Sequence, residues 1–462
     1  MRHLASVFVL PVALAAGCAG STTPVSHVAS HPIAPGSASA GKASRHLSNW
    51  PTYHRTDTRS GVASASIKTP LHHRWRATLD GGVYGDPLVV NGRLIAATEN
   101  DSVYGLNPKT GGTEWRTHLG TPESQSDLQA DQPGCGDIFP LGITGTPAYD
   151  AKTGSVFVVA ETLGGHHTLW ALNASNGHRR WHKSMDLVKN RDRRAEQQRS
   201  ALLVSGGRVF TSYGGLTGDC GNYVGYITST PRSGKGKTTH YAVPTAREAG
   251  MWSPAGPVTG ANGNIYVASG NGAEEQGKWD KSDSVTELRP ASMHRVAVFA
   301  PADWKQDNIN DRDLGSSSPV PVDGRIVIAG KSGTVYLLKT SLGGVGRALA
   351  SVGGCESYGG AAHSGRTVIM PCQNGVRALV VGKHSLRWKW GASGADGSAV
   401  ISGKRVYVAA ANSGTLKVLS LATGHTIASI STGSLTHFPS EVVDGTHIFV
   451  PTLTGITAIR GS

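Results

Sequence analysis

Long apolar runs are nearly absent from this 462-residue chain, the exception being Leu4–Leu14. That stretch falls short of the roughly 20 residues a membrane-spanning helix needs. Methionine (5) and phenylalanine (7) are scarce, and charged residues make up only 16%. A coiled coil or a bundle of long amphipathic helices is excluded, because both need dense charge and helical periodicity. The five cysteines form no C-x-x-C or C-x-x-C-H pattern, so neither a zinc ribbon nor an attached haem is supported. H-E-x-x-H, a phosphate-binding loop and a G-x-S-x-G elbow are missing too, which removes the commonest hydrolase and nucleotidase signatures. Acidic residues (31) are outnumbered by Lys and Arg (44), leaving a net charge of +13.

Glycine, by contrast, is abundant (61), as many short strands joined by tight turns require. A pattern recurs with it. Gly85-Asp86-Pro87 leads through a strand to Asn107-Pro108-Lys109-Thr110-Gly111, with Trp115 four residues on. Gly145-Thr146-Pro147 leads likewise to Asn173-Ala174-Ser175-Asn176-Gly177 and Trp181. Periodicity on this scale means stacked supersecondary units. Eight such units follow residue 70, with second strands at Arg93–Thr98, Ser155–Ala160, Arg208–Ser212, Asn264–Ser269, Arg325–Ala329, Arg366–Met370, Lys404–Ala409 and Thr446–Val450. Units three and four carry longer insertions. The last unit has three strands, and a spare strand, His72–Leu79, precedes the first. If that strand completes the last unit, the array closes into a ring without open edges. The expected fold is all-β: an eight-bladed β-propeller of four-stranded antiparallel blades, occupying residues 50–462.

Ahead of it, Arg2 and His3 followed by Leu4–Leu14 read as an export signal over residues 1–17. Leu14-Ala15-Ala16-Gly17-Cys18 resembles a bacterial lipoprotein signal, with Cys18 as the acylated residue. Residues 18–49, rich in Ser, Ala, Pro, Gly and His, read as a flexible tether spanning on the order of 30 Å. The expected location is the outer face of the cell membrane, reached through the lipid anchor alone. In that oxidising setting the four remaining cysteines are expected to pair. Propeller topology puts them all on the face of the B–C loops and blade-to-blade connections. Antiparallel pairing there favours Cys355–Cys372, and leaves Cys135–Cys220. The basic run Lys189–Arg194 has no interleaved aromatics, so nucleic acid is not an expected partner.

The A-x-[DN]-x-x-x-G-x-x-x-W units resemble the pyrroloquinoline-quinone-type propeller family. Residues 250–340 are similar to quinoprotein alcohol dehydrogenases through Met251-Trp252-Ser253-Pro254, Ser269-Gly270-Asn271-Gly272, Pro301-Ala302-Asp303-Trp304 and Gly330-Lys331-Ser332-Gly333. That resemblance implies pyrroloquinoline quinone and calcium as cofactors. Glu161 and Asn271 would ligate calcium, Trp252 would carry the ring, Lys331 would contact the quinone oxygens, and Asp303 would be the general base. The chain departs from that family in having no adjacent cysteine pair and no haem domain. In non-enzymatic relatives the same strand endings make turns; Glu161 would then pair with Lys331 or a nearby His, and Asp303 would cap a turn. The first expectation is therefore a lipid-anchored, cofactor-free binding or scaffold module, similar to the propeller lipoprotein that assists outer-membrane barrel assembly. It would act as a monomer on an envelope protein or an anionic wall polymer. The alternatives are a quinone-dependent alcohol, sugar or polyol dehydrogenase, and a binder of anionic cell-wall polysaccharide.

Overall fold

Alternating apolar residues flanked by glycine-bearing turns fold here into eight antiparallel sheets, in a computed structural model that describes residues 49–461. The signal, Cys18 and nearly all of the tether lie outside the described residues. The second strand of each blade runs Arg93–Ala97, Ser155–Thr162, Arg208–Gly215, Ile265–Ser269, Arg325–Ala329, Thr367–Cys372, Arg405–Ala410 and His447–Thr452. We number the blades 1 to 8 in that order and letter their strands A to D from the axis outward.

Closure is by the chain's two ends. Leu71–Thr78 pairs antiparallel with Gly455–Gly461 as the outermost strand of blade 8, with His72 opposite Arg460 and Ala77 opposite Ile456. A terminal strand edge that would template aggregation is thereby paired. Blade 4 is extended by Gly344–Val345, which returns from blade 5 and lies parallel to Phe299–Ala300.

The Gly-to-Trp spacing has a packing cause. Trp75, Trp115, Trp181 and Trp390, each on strand D, lie against Gly111, Gly177, Gly234 and Gly424 of the following blade's C–D turn. A Cβ on Gly177 would sit 2.4 Å from the Trp115 ring, and each of these glycines has φ near +70° to +75°. Only glycine serves such a position, which needs left-handed backbone and a bare surface. Trp75 Nε1 also donates to Pro108 O (3.1 Å), and Trp390 Nε1 to Leu421 O (3.0 Å). Blade 7 lacks this tryptophan for a structural reason. Strands C and D of blade 8 come from opposite ends of the chain, so no C–D turn exists there to receive it. Apolar clusters between successive sheets complete the interior.

Residues 50–67 belong to no blade. They enter the axial channel and run along the innermost strands. Trp50 N donates to Val89 O (2.6 Å) in blade 1, and Tyr149 N to Pro51 O (2.7 Å) in blade 2. On the return, Thr259 N donates to Asp57 O (3.0 Å) in blade 4 and Ile401 N to Gly61 O (2.7 Å) in blade 7. Trp50, Tyr53, His54, Arg59 and Ile67 are fully buried. The propeller is plugged by its own leading segment.

Both disulfides form, Cys135–Cys220 and Cys355–Cys372. They lie on the expected face. Their sequence separations are 85 and 17, so loop-closure entropy assigns the first about 4–5 kcal/mol and the second about 3 kcal/mol. Cys135→Ser with Cys220→Ser is accordingly expected to lower the urea midpoint more than Cys355→Ser with Cys372→Ser. Equal midpoints would show that unfolded-chain entropy is not the controlling contribution.

Candidate functional site

The B–C loops and D–A connections share one face, here called the upper face. Its mouth is built from blades 3 to 8. Trp252, on the connection from blade 3 to blade 4, is partly exposed. The Lys331 ammonium, at the end of strand B in blade 5, lies 5.9 Å from its ring centre. Two carboxylates hold that ammonium, Asp311 at 2.7 Å and Asp313 at 2.6 Å. Although Lys331 is largely buried, the pair outweighs burial and keeps the amine protonated well beyond its usual range. Asp313 also accepts from the Asn271 backbone N–H (2.8 Å). The mouth therefore brings Trp252, Asn271 and Lys331 together through Asp313.

A loop between blades 7 and 8 closes over this group. Phe438, in left-handed conformation (φ 55°) just before Pro439, puts its ring 6.1 Å from Trp252 and 6.0 Å from Tyr358. Arg199 lies over Phe438 at 5.2 Å and Tyr84 at 5.5 Å, and donates to His437 O (3.0 Å). His437 Nδ1 meets Asp137 at 3.1 Å. Below, at the top of the plug, His54 Nε2 bonds Ser440 Oγ (3.0 Å), which donates to Asp86 (3.2 Å). Burial pushes the Asp86 carboxyl up to about 7. None of Tyr84, Arg199, Tyr358, His437, Phe438 or the plug was singled out from sequence. The one local signal was an aromatic before proline in an otherwise featureless connection.

Glu161 stands apart. Its buried carboxylate is 3.3 Å from His167 Nε2, and Asp186 occupies His167 Nδ1 at 3.1 Å. Burial works against charge on His167, but Glu161 and Asp186 outweigh it and raise the imidazole to about 10. Burial raises the Glu161 carboxyl, while its bonds to His167 hold Asp186 below the carboxylate range despite partial burial. Tyr213, at the end of strand B in blade 3, meets His167 edge-on at 5.2 Å. The neighbouring His166 is exposed and also reaches Asp186, at 3.6 Å. Of the two non-catalytic pairings expected for Glu161, a nearby His is the one formed, not Lys331.

Asp303 makes no hydrogen bond or ion pair with the mouth cluster. It is exposed and precedes the short helix α1 (Trp304–Ile309) without a side-chain capping bond. The helix braces the blade 4 insertion through Asn308, which accepts from Gly272 N (3.1 Å) and donates to Glu274 O (2.8 Å). As placed, the five residues do not fit one calcium and quinone centre. Glu161 is committed to His167, Lys331 is neutralised, and the Trp252 ring is met by Phe438.

Eight blades and closure by the chain's two ends define an eight-bladed β-propeller, the fold of proteins of the pyrroloquinoline-quinone type. Residues 59–286 match a family model described as outer membrane protein assembly factor BamB. Among solved structures, a quinohemoprotein alcohol dehydrogenase from Pseudomonas putida HK5 is 15% identical, covering 90% of this chain and 80% of that one, with a TM-score of 0.68. BamB from Moraxella catarrhalis is 17% identical over 85% of this chain and 98% of its own, with a TM-score of 0.57. A europium-containing methanol dehydrogenase is 13% identical over 90% and 98%, with a TM-score of 0.66. No curated protein sequence matches the chain. At these identities the likeness concerns the fold, which hosts both enzymes and an assembly factor.

Proposed function

We propose that the protein is a non-enzymatic binding module of the cell envelope, lipid-anchored at Cys18 and working as a monomer on an envelope protein. The observation that carries this reading is the upper mouth. The ring that would support a quinone has Phe438 tilted against it at 6.1 Å, and the lysine that would meet quinone oxygens is held by Asp311 and Asp313. Tyr84, Trp252, His437 and Phe438, partly or fully exposed and backed by buried Arg199 and Tyr358, give that mouth an amphipathic rim of the kind that recognises protein or glycan surfaces.

Calorimetric titration of pyrroloquinoline quinone with calcium into the purified protein tests the proposal. No saturable heat, and no dye reduction with alcohols or sugars, is the expected result. Stoichiometric quinone binding, with alcohol oxidation lost in Asp303→Asn, would instead establish the dehydrogenase and overturn it.

A further inference from the structure

The charge on this propeller is segregated between its two faces. The lower face consists of the A–B and C–D turns. On those turns Lys and Arg outnumber Asp and Glu roughly ten to one, whereas on the upper loops and connections the acids prevail roughly two to one. The lower turns are thus net basic and the upper loops net acidic. Exposed cations ring the lower side: Lys109, Lys152, Lys237, Arg289, Lys383 and Lys404, on the turns of blades 1, 2, 3, 4, 6 and 7. Among the described residues, none of the six is within ion-pair distance of a carboxylate, unlike Arg366, which pairs with Asp323, and Arg93, which pairs with Glu114. The field is felt by the partly buried His447, between blades 8 and 1: burial lowers its pKa, and so do Arg460, Arg74 and Lys109.

A second observation fixes what meets this face. The chain enters the described structure on the same side: Asn49 Oδ1 accepts from Asn91 N (3.1 Å) in the A–B turn of blade 1, and Trp50 then dives into the channel. Residue 49, where the described structure begins, therefore sits on the basic face. A tether of about 30 residues with coil dimensions of about 30 Å lets that face reach the surface carrying the anchor.

We propose that the lower face is a membrane-docking surface for anionic phospholipid headgroups, so that the propeller lies flat on the bilayer and presents the acidic, aromatic upper mouth outward. Phosphate headgroups attract juxtamembrane Lys and Arg within a Debye length, and an acyl anchor joined to a basic surface binds far more firmly than either alone. The proposal deepens the envelope reading by assigning an orientation. It can fail independently, because the vesicle measurement does not depend on what the upper mouth binds.

The test uses the chain from residue 19 onward, which keeps every described residue and lacks the acylated cysteine. Cosedimentation is measured with vesicles of phosphatidylcholine alone and with about 30% phosphatidylglycerol. Expected is binding to the anionic vesicles only, weakened at least tenfold from 0.1 to 0.5 M salt. The triple variant Lys109→Glu, Lys152→Glu, Lys404→Glu should bind at least tenfold more weakly, with unchanged thermal midpoint. Reversal on the upper face, Lys189→Glu, Lys278→Glu, Lys305→Glu, should leave binding within twofold. Equal loss in both triples, indifference to phosphatidylglycerol, or retention on a soluble phosphate polymer without vesicle binding would each overturn the assignment.

Discussion

Gly177→Ala is expected to destabilise the protein by about 3–5 kcal/mol, while Gly92→Ala costs about 1–2 kcal/mol. The two glycines have nearly the same backbone, φ 72° and 75°, so both substitutions carry the left-handed penalty. They differ in what the new methyl meets. At Gly92 nothing lies within 4 Å; at Gly177 the Trp115 ring lies at 2.4 Å. Overpacking at a blade interface is the added contribution. Denaturant unfolding at constant m-value measures it. If the two variants unfold at the same midpoint, the Trp–Gly contact is not what holds successive blades together.

Stability is expected to be highest near pH 5 and to fall toward pH 9. Burial lifts several carboxyls in the folded chain: Asp86 and Glu196 to about 7, Glu99 to about 8 and Asp101 to about 9. In the unfolded chain these groups ionise near pH 4. Between the two ranges the folded state holds more protons, so raising the pH favours unfolding. His167 adds in the same direction: its raised pKa contributes stability that is complete below its ordinary range and lost as pH climbs toward about 10. Tenfold in proton affinity is worth about 1.4 kcal/mol, so the five groups together give a loss on the order of 10 kcal/mol or more and a fall in Tm of at least about 10 °C. Below pH 4 the trend reverses, because Asp137 and Asp186 are held low by their histidine partners and lose those bonds on protonation. Asp101→Asn, which removes a buried acid with no hydrogen-bond partner, should raise the midpoint at pH 9 and change it little at pH 5. A flat Tm profile from pH 5 to 9, or an unaltered one in the variant, would contradict the burial argument.

Much of the fold was legible because each blade repeats one local rule. Turn glycines, apolar alternation and a tryptophan four residues after glycine are properties of contiguous sequence, and the unpaired strand near Trp75 supplied the closure. The disulfide pairing followed from topology for the same reason. The site was less legible. Glu161 sits where strand periodicity puts it, but its pairing with His167, directly opposite across the hairpin, depends on Asp186 from the next connection holding that ring. Phe438 reaches the axis only because its connection is steered by Pro439 and backed by Arg199 from blade 3. Nothing in Trp50–Ile67 has strand or helix period, so its path through the channel left no mark in the sequence.

By itself, then, the sequence determined blade number, closure and covalent cross-links, since these arise from short-range patterns multiplied eightfold. Only the tertiary structure decided that the channel is filled, that the mouth is capped, and that basic turns gather on one face and acidic loops on the other. Those three depend on residues far apart in the chain meeting around an axis, and no local periodicity encodes where that axis lies.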